Sequence, residues 1–408
     1  MSMSRLLSFP VNITMAWSLV NRLFLQSRSK RSRRLTTSNA LPLPVELLLM
    51  TIKHLNSREM LSALRTCRGM RSIVETCLYA HISIPFYHPR RMSKLLRTLH
   101  DRPDLAQNVI TFNGSFYPAL LKSRGPRVIT PTSLIQHWYQ QWSVERHERA
   151  FSTTSATSIN NMMNVKSLTL HDFHWLGTPS QNLICDAICS TVSLASVTTL
   201  ILQGYDFFQH KRHAGSECQL SLILRHQPLL ERLELRSGNW DLEQWILPTD
   251  VPHLTYLKSG LKEAKVLVPG RPITFLAFRK MSAMPDVDVW QALTASTEPI
   301  RTLKVDIPEV NFFSSFLNII SVHLQDVQNL VLTGPGYDSL PMIIENFPPF
   351  RSLRTLHIKL WDHVDNRIEN ISATLYENRR ANFITHLRLE SPQFESLIYS
   401  DCSCNILH

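Results

Sequence analysis

Residues 165–170 read Val-Lys-Ser-Leu-Thr-Leu, and the spacing of their apolar side chains decides the fold. In an extended chain successive side chains point to opposite faces, so Leu168 and Leu170 share one face and Thr169 takes the other. The same unit, apolar-x-x-Leu-x-apolar, returns at Val197…Leu200-Ile-Leu202, Leu230…Leu233-Glu-Leu235 and Leu254…Leu257, the last with Ser259 in place of its final apolar residue. It continues at Ile273…Leu276-Ala-Phe278, Ile300…Leu303-Lys-Val305, Val327…Leu330-Val-Leu332, Leu353…Leu356-His-Ile358 and Ile384…Leu387-Arg-Leu389. The central leucines are 32, 33, 24, 19, 27, 27, 26 and 31 residues apart. A unit of that length holds one short strand and cannot bury its own apolar face, so neighbouring units must stack. Helical patterns occupy gaps between the strands, at 183–194, 220–226, 287–295, 312–323 and 364–378. The expected fold over 161–408 is therefore an α/β solenoid built on a parallel sheet. Val109-Ile-Thr-Phe112 also reads as a strand, and Phe112 can open one more, degenerate unit.

Residues beside the apolar pair face away from the core and would line the concave side of such a horseshoe. The charged ones are Arg232, Glu234, Arg236, Lys258, Arg279, Lys304, Asp306, Lys359, Arg388 and Glu390, seven basic against three acidic. A face of that sign suits an acidic or phosphorylated segment of a partner protein. The alternative is a solvated strand face with no partner.

Ahead of the repeats, residues 41–82 carry a different period. Leu47, Leu48, Ile52 and Leu55, then Met60, Leu61, Leu64 and Cys67, then Met70, Ile73 and Val74 recur at helical spacing. The spacing predicts three short amphipathic helices, broken at Asn56-Ser57 and near Gly69. Pro44 suits a helix start, and Glu46 places a negative charge at the positive end of the dipole. About forty residues leave more apolar surface than three small helices bury, so part of it caps the following domain or docks on a partner.

The order Leu43-Pro44-x-Glu46-Leu47, then Ile52, Leu55, Leu61, Leu64, Cys67-Arg68 and Arg71, resembles an F-box. Glu59, Met60 and Gly69-Met70 depart from that family's usual aspartate, leucine and bulky residue. The repeat region resembles irregular leucine-rich repeats without their buried asparagine, so the whole is similar to fungal-type F-box proteins. The resemblance implies that Leu43, Pro44, Glu46, Leu47, Ile52, Leu55, Leu61, Leu64, Cys67 and Arg68 bind a Skp-type adaptor and, through it, a cullin–RING ligase. It implies a substrate-recognition adaptor of an SCF-type E3 ubiquitin ligase that makes no bond itself. A scaffold with the same repeats and no ligase link is the competing expectation.

Composition narrows the field. Eleven glycines in 408 residues, with no GxGxxG or GxxxxGK[ST], argue against a phosphate-cradling loop. No HExxH or GxSxG occurs, and His171-Asp172-x-His174 and His210/His213 read as surface or core histidines. No enzyme, cofactor or metal is expected. The formal charge of +11 is concentrated in the first 45 residues, which hold seven basic side chains and no acid. The body is thus not expected to bind nucleic acid. Residues 1–40 read as a disordered basic tail, with a nuclear import signal (Arg28 to Arg34) or a mitochondrial presequence as alternatives. The apolar run Leu6 to Leu25 is too broken to span a membrane. Seven scattered cysteines point to reduced thiols in cytoplasm or nucleus. Residues 83–160 read as a linker helix and an irregular first solenoid unit. In this stretch the basic amphipathic helix at 91–100 packs on the body or lies on a membrane surface. Ser133 to Phe151 reads as a further helix, and Ser152 to Asn161 as a mobile polar stretch.

Overall fold

A computed structural model describes residues 44–65, 68–84, 89–115, 153–171, 196–203, 219–236, 242–243, 245–279, 287–306, 313–334, 343, 347–361 and 373–402. The basic tail and the segments 133–151 and 183–194 lie outside the described residues. The chain divides into two compact units, the first ending at His81 and the second beginning at Ile82.

The first unit holds α1 (Val45–Ile52), α2 (Ser57–Leu64) and α3 (Arg68–Ala80). Pro44 sits just before α1, where its carbonyl accepts the Leu48 N–H at 3.2 Å. Asn56 starts α2 with a capping box. Its side chain accepts from the Arg58 and Glu59 N–H groups, and the Glu59 carboxylate accepts the Asn56 N–H at 2.8 Å. The predicted periodicity closes a small core of Leu48, Ile52, Ala63, Met70, Ile73 and Val74, with Leu49, Leu55, Met60, Leu64 and Cys77 packed around it.

The second unit is organised by an eleven-stranded sheet in which every strand pairs with its neighbours in chain order. The strands are β1 (His81–Ser83), β2 (Thr111–Ser115), β3 (Ser167–His171), β4 (Thr199–Gln203), β5 (Arg232–Leu235) and β6 (Tyr256–Ser259). They continue as β7 (Phe275–Phe278), β8 (Thr302–Asp306), β9 (Asn329–Thr333), β10 (Thr355–Trp361) and β11 (Ser396–Cys402). From β2 to β11 all pairs are parallel. The register places Phe112, Leu168, Leu200, Leu233, Leu257, Leu276, Leu303, Leu330, Leu356 and Leu397 in one column. All but Leu397, at the sheet's edge, are at most 1% exposed. Each strand thus supplies one rung of a continuous core. The result is an open α/β arrangement compatible with a solenoid.

The same unit contains α4 (Pro89–Asp101), α5 (Pro103–Ala106), α6 (Gln219–Arg225), α7 (Leu261–Leu267), α8 (Val287–Thr294), α9 (Phe313–His323) and α10 (Ala373–Glu390). Trp290 of α8 is fully buried, edge-on to Phe278 at 6.3 Å and to Phe316 of α9 at 5.4 Å. On α4 Met92, Leu96 and Leu99 are buried while Arg91, Lys94 and Arg97 are exposed. The apolar face of this helix packs on the body. Gly114 stands where later units carry an apolar residue, and the end of the Met92 side chain takes the space a Cβ would fill.

Two expectations are corrected. Ile384…Leu387-Arg-Leu389 is not a strand: it lies inside α10, with Phe383 and Leu387 buried one turn apart and Leu389 75% exposed. The last strand is instead β11, where Phe394…Leu397-Ile-Tyr399 fits the same unit. The polar stretch at 152–161 is helical over 153–161, with Ser155 and Ser158 fully buried. Ser158 Oγ lies 2.6 Å from the carbonyls of both Leu96 and Thr154, so the hydroxyl ties this helix to α4.

One buried charge fixes the turn between β6 and β7. Arg271 is 0% exposed and donates to the carbonyls of Asp250 (2.8 Å), Leu247 (2.6 Å), Val266 and Pro269 (both 3.1 Å). Burial lowers its pKa to about 10, against the opposing pull of the Asp250 carboxylate. The guanidinium thereby holds the 247–251 loop, which contains Val251 in the left-handed region at φ 48°.

Candidate interaction surfaces

The outward face of β2–β5 carries a continuous polar chain. His171 Nε2 lies 2.7 Å from Asn113 Oδ1, and its Nδ1 lies 3.0 Å from Gln203 Oε1. Arg236 Nη1 donates to the same Gln203 oxygen at 3.3 Å. Arg236 and Arg232 then close on the Glu234 carboxylate from either side. The carboxylate side chain is 3% exposed, and the two guanidiniums are 38% and 43% exposed. Burial raises the Glu234 pKa, but hydrogen bonds from Arg232 and Arg236 outweigh it and hold the group below its ordinary value. Arg232 also lies 3.9 Å above the Tyr256 ring, which stacks on Phe275 at 4.2 Å. Spacing two apart along β5 puts all three charges on one face, and the low exposure of the carboxylate follows from its two neighbours closing over it.

Across β6–β10 the face changes character. In register, Lys258 of β6 pairs with Ala277, which pairs with Lys304 of β8. Lys304 pairs with Val331, and Val331 with His357. One step further along, Asp306, Thr333 and Lys359 align. Among the described residues no ion pair joins Lys258, Lys304 or Lys359 to a carboxylate. Burial lowers the pKa of Lys258, with further lowering by Arg236 and Lys304 and opposition from Glu234 and Asp306. His357 is lowered by burial and then by Lys359 and Lys304. These cations therefore repel one another across the strands.

The basic residues named from sequence thus separate. Arg232 and Arg236 share the single Glu234 carboxylate, so the trio keeps one net positive charge, and Arg279 donates to the Leu235 carbonyl. Lys258, Lys304 and Lys359 form no such contact among the described residues. Arg388 belongs to α10 and not to a strand, so it leaves the face.

The first unit presents a second surface. Pro44, Glu46, Leu47 and Leu61 are exposed, Leu47 and Leu61 at 50% each. Val45 (48%) and Met50 (62%) join them without having been singled out in the sequence. Ile52, by contrast, is buried in the unit's own core, with Leu55 and Leu64 packed against it. Leu43 and Cys67 lie outside the described residues, and of Arg68 only the backbone is described. The apolar positions therefore split into a set that holds the helices together and a set that faces outward.

Among the described residues no group of three or more His, Cys, Asp or Glu is placed to hold a metal ion, and no helix is long and apolar enough to cross a membrane. Fold and surfaces together define a sequential parallel α/β protein with one charged strand face and a three-helix unit with outward apolar side chains. No protein family matches the sequence, and no characterised protein matches it.

Proposed function

We propose that this chain is a substrate-recognition adaptor of an SCF-type cullin–RING E3 ubiquitin ligase. In this reading α1–α3 bind a Skp-type adaptor, and the outward strand face of the sheet holds a substrate protein in cytoplasm or nucleus. The observation that carries it is the exposed apolar set Val45, Leu47, Met50 and Leu61 on a unit whose own core is already complete. Such side chains favour a partner groove over water. Catalysis by proximity needs no reacting group on this chain: holding substrate lysines near a charged ubiquitin carrier raises their effective concentration.

Co-expression of the full chain with a Skp-type adaptor tests the reading. The expected result is a stoichiometric complex by gel filtration and a higher soluble yield. Failure of the two proteins to co-elute rejects the ligase link and leaves a repeat scaffold with its strand face intact.

A further inference from the structure

The lysines on β8 and β10 stand around an unusual hydroxyl. Thr333, last residue of β9, points to the outward face, is 9% exposed, and its Oγ1 is buried with no hydrogen-bond partner among the described residues. An orphaned buried hydroxyl costs stability, so its retention calls for an occupant or a role. Lys359 lies directly beside it in register, and Lys304 lies one strand over on the other side, one step back. Parallel strands are about 4.8 Å apart, so long lysine side chains from both neighbours reach the same point above Thr333. The other neighbour in the row, Asp306, has a buried Oδ1 that likewise finds no partner among the described residues. Gly334 follows at φ 110° and donates its N–H to the Lys359 carbonyl, so that N–H is not available to the Thr333 hydroxyl oxygen.

We propose that Lys304, Lys359 and Thr333 form a seat for a phosphorylated side chain of a partner segment. Three donors meet the three terminal oxygens of a phosphate, and the two ammoniums outweigh the single Asp306 carboxylate, so the row stays net positive toward a group of charge about −1.5 to −2. A carboxylate offers two oxygens and one charge and leaves one of the three donors unmet. Asp306 supplies the acceptor for a main-chain N–H of the same segment and disfavours anions that bring no donor. The mutual repulsion of the cations, felt at Lys258 and His357, is relieved when the phosphate arrives. This inference rests on the reading that the strand face holds a partner, and it is independent of adaptor binding.

The test immobilises the full chain and presents degenerate peptide libraries with a fixed central phosphoserine, glutamate, serine or lysine. The wild type is expected to retain phosphoserine over serine by about tenfold and over glutamate by at least about threefold. K304A/K359A should bring both ratios near one, while K94A/R97A on α4 leaves them unchanged. Thr333→Val separates function from structure: preference should fall about threefold while the melting temperature holds or rises. Leu47→Asp should leave all ratios unchanged, which keeps this result apart from the ligase reading. Ratios near one in the wild type, equal retention of glutamate and phosphoserine, or equal loss in K94A/R97A would overturn the seat. So would a Thr333→Val that lowers the melting temperature and keeps the preference.

Discussion

Leu47 and Leu303 are the same residue type in patterns of similar regularity, yet Leu47 is 50% exposed and Leu303 is fully buried. The difference lies in how the two units accumulate core. In the sheet each new strand adds a leucine to a column already closed on both sides, so every interior rung is sealed by its neighbours. In α1–α3 a helix has a full circumference to cover, and three short helices cover only one stripe of each. Repetition seals the central column of the sheet, and the exposed apolar side chains of that unit, such as Leu247, Val322 and Leu389, lie outside the column. The small helical unit instead leaves Val45, Leu47, Met50 and Leu61 exposed within about twenty residues.

The comparison breaks most violently at Arg271. Arg271→Met would strand four carbonyls and leave the 247–251 loop untied, at a cost of about 4 kcal/mol. A chemical-denaturation midpoint should fall accordingly, and Arg271→Lys should recover only part, since an ammonium lacks the guanidinium's forked geometry. Leu303→Ala opens a cavity in the middle of the column and should cost about 3 kcal/mol. By contrast Leu47→Ser should change stability by less than about 0.5 kcal/mol, because that side chain is not part of a core.

Glu234 gives an intermediate effect with a definite pH sign. Its folded pKa lies below the ordinary value, so its contribution is present above that value and disappears as pH falls through the folded one. Between pH 5 and pH 3 the wild type should lose about 1 kcal/mol more than Glu234→Gln, a size limited by the exposure of both guanidiniums. Equal acid sensitivity of the two proteins would mean that the carboxylate is not held by its arginines.

Much of the ladder was legible because a parallel sheet rewards one local pattern: eight of the expected central leucines, and Phe112, sit in one register column. The ninth unit was misplaced for a physical reason. Ile384, Leu387 and Leu389 satisfy the strand pattern, but Phe383 and Leu387 also satisfy a helical one, and length decided for the helix. β1 offers a single apolar residue, Ile82, and carries no recognisable signal. Charge placement on the face was read from strand alternation, but charge availability was not. That Glu234 engages both Arg232 and Arg236 while Lys304 and Lys359 find no carboxylate among the described residues depends on side-chain burial, which spacing alone does not encode. Arg271 gave no signal either, because its partners are backbone carbonyls, two nearby and two from the 247–251 loop. In the first unit the period named the right helices but could not tell Ile52, which faces in, from Leu61, which faces out.

The most direct measurement is the affinity of the full chain for a purified Skp-type adaptor, compared between the wild type and the Leu47→Asp/Leu61→Asp variant. Leu61 is a cleaner probe than Leu55, which packs on the unit's core. The account predicts tight binding by the wild type and at least about a hundredfold loss in the variant, with its melting temperature unchanged. A wild type that does not bind, or a variant that binds equally well, would contradict it.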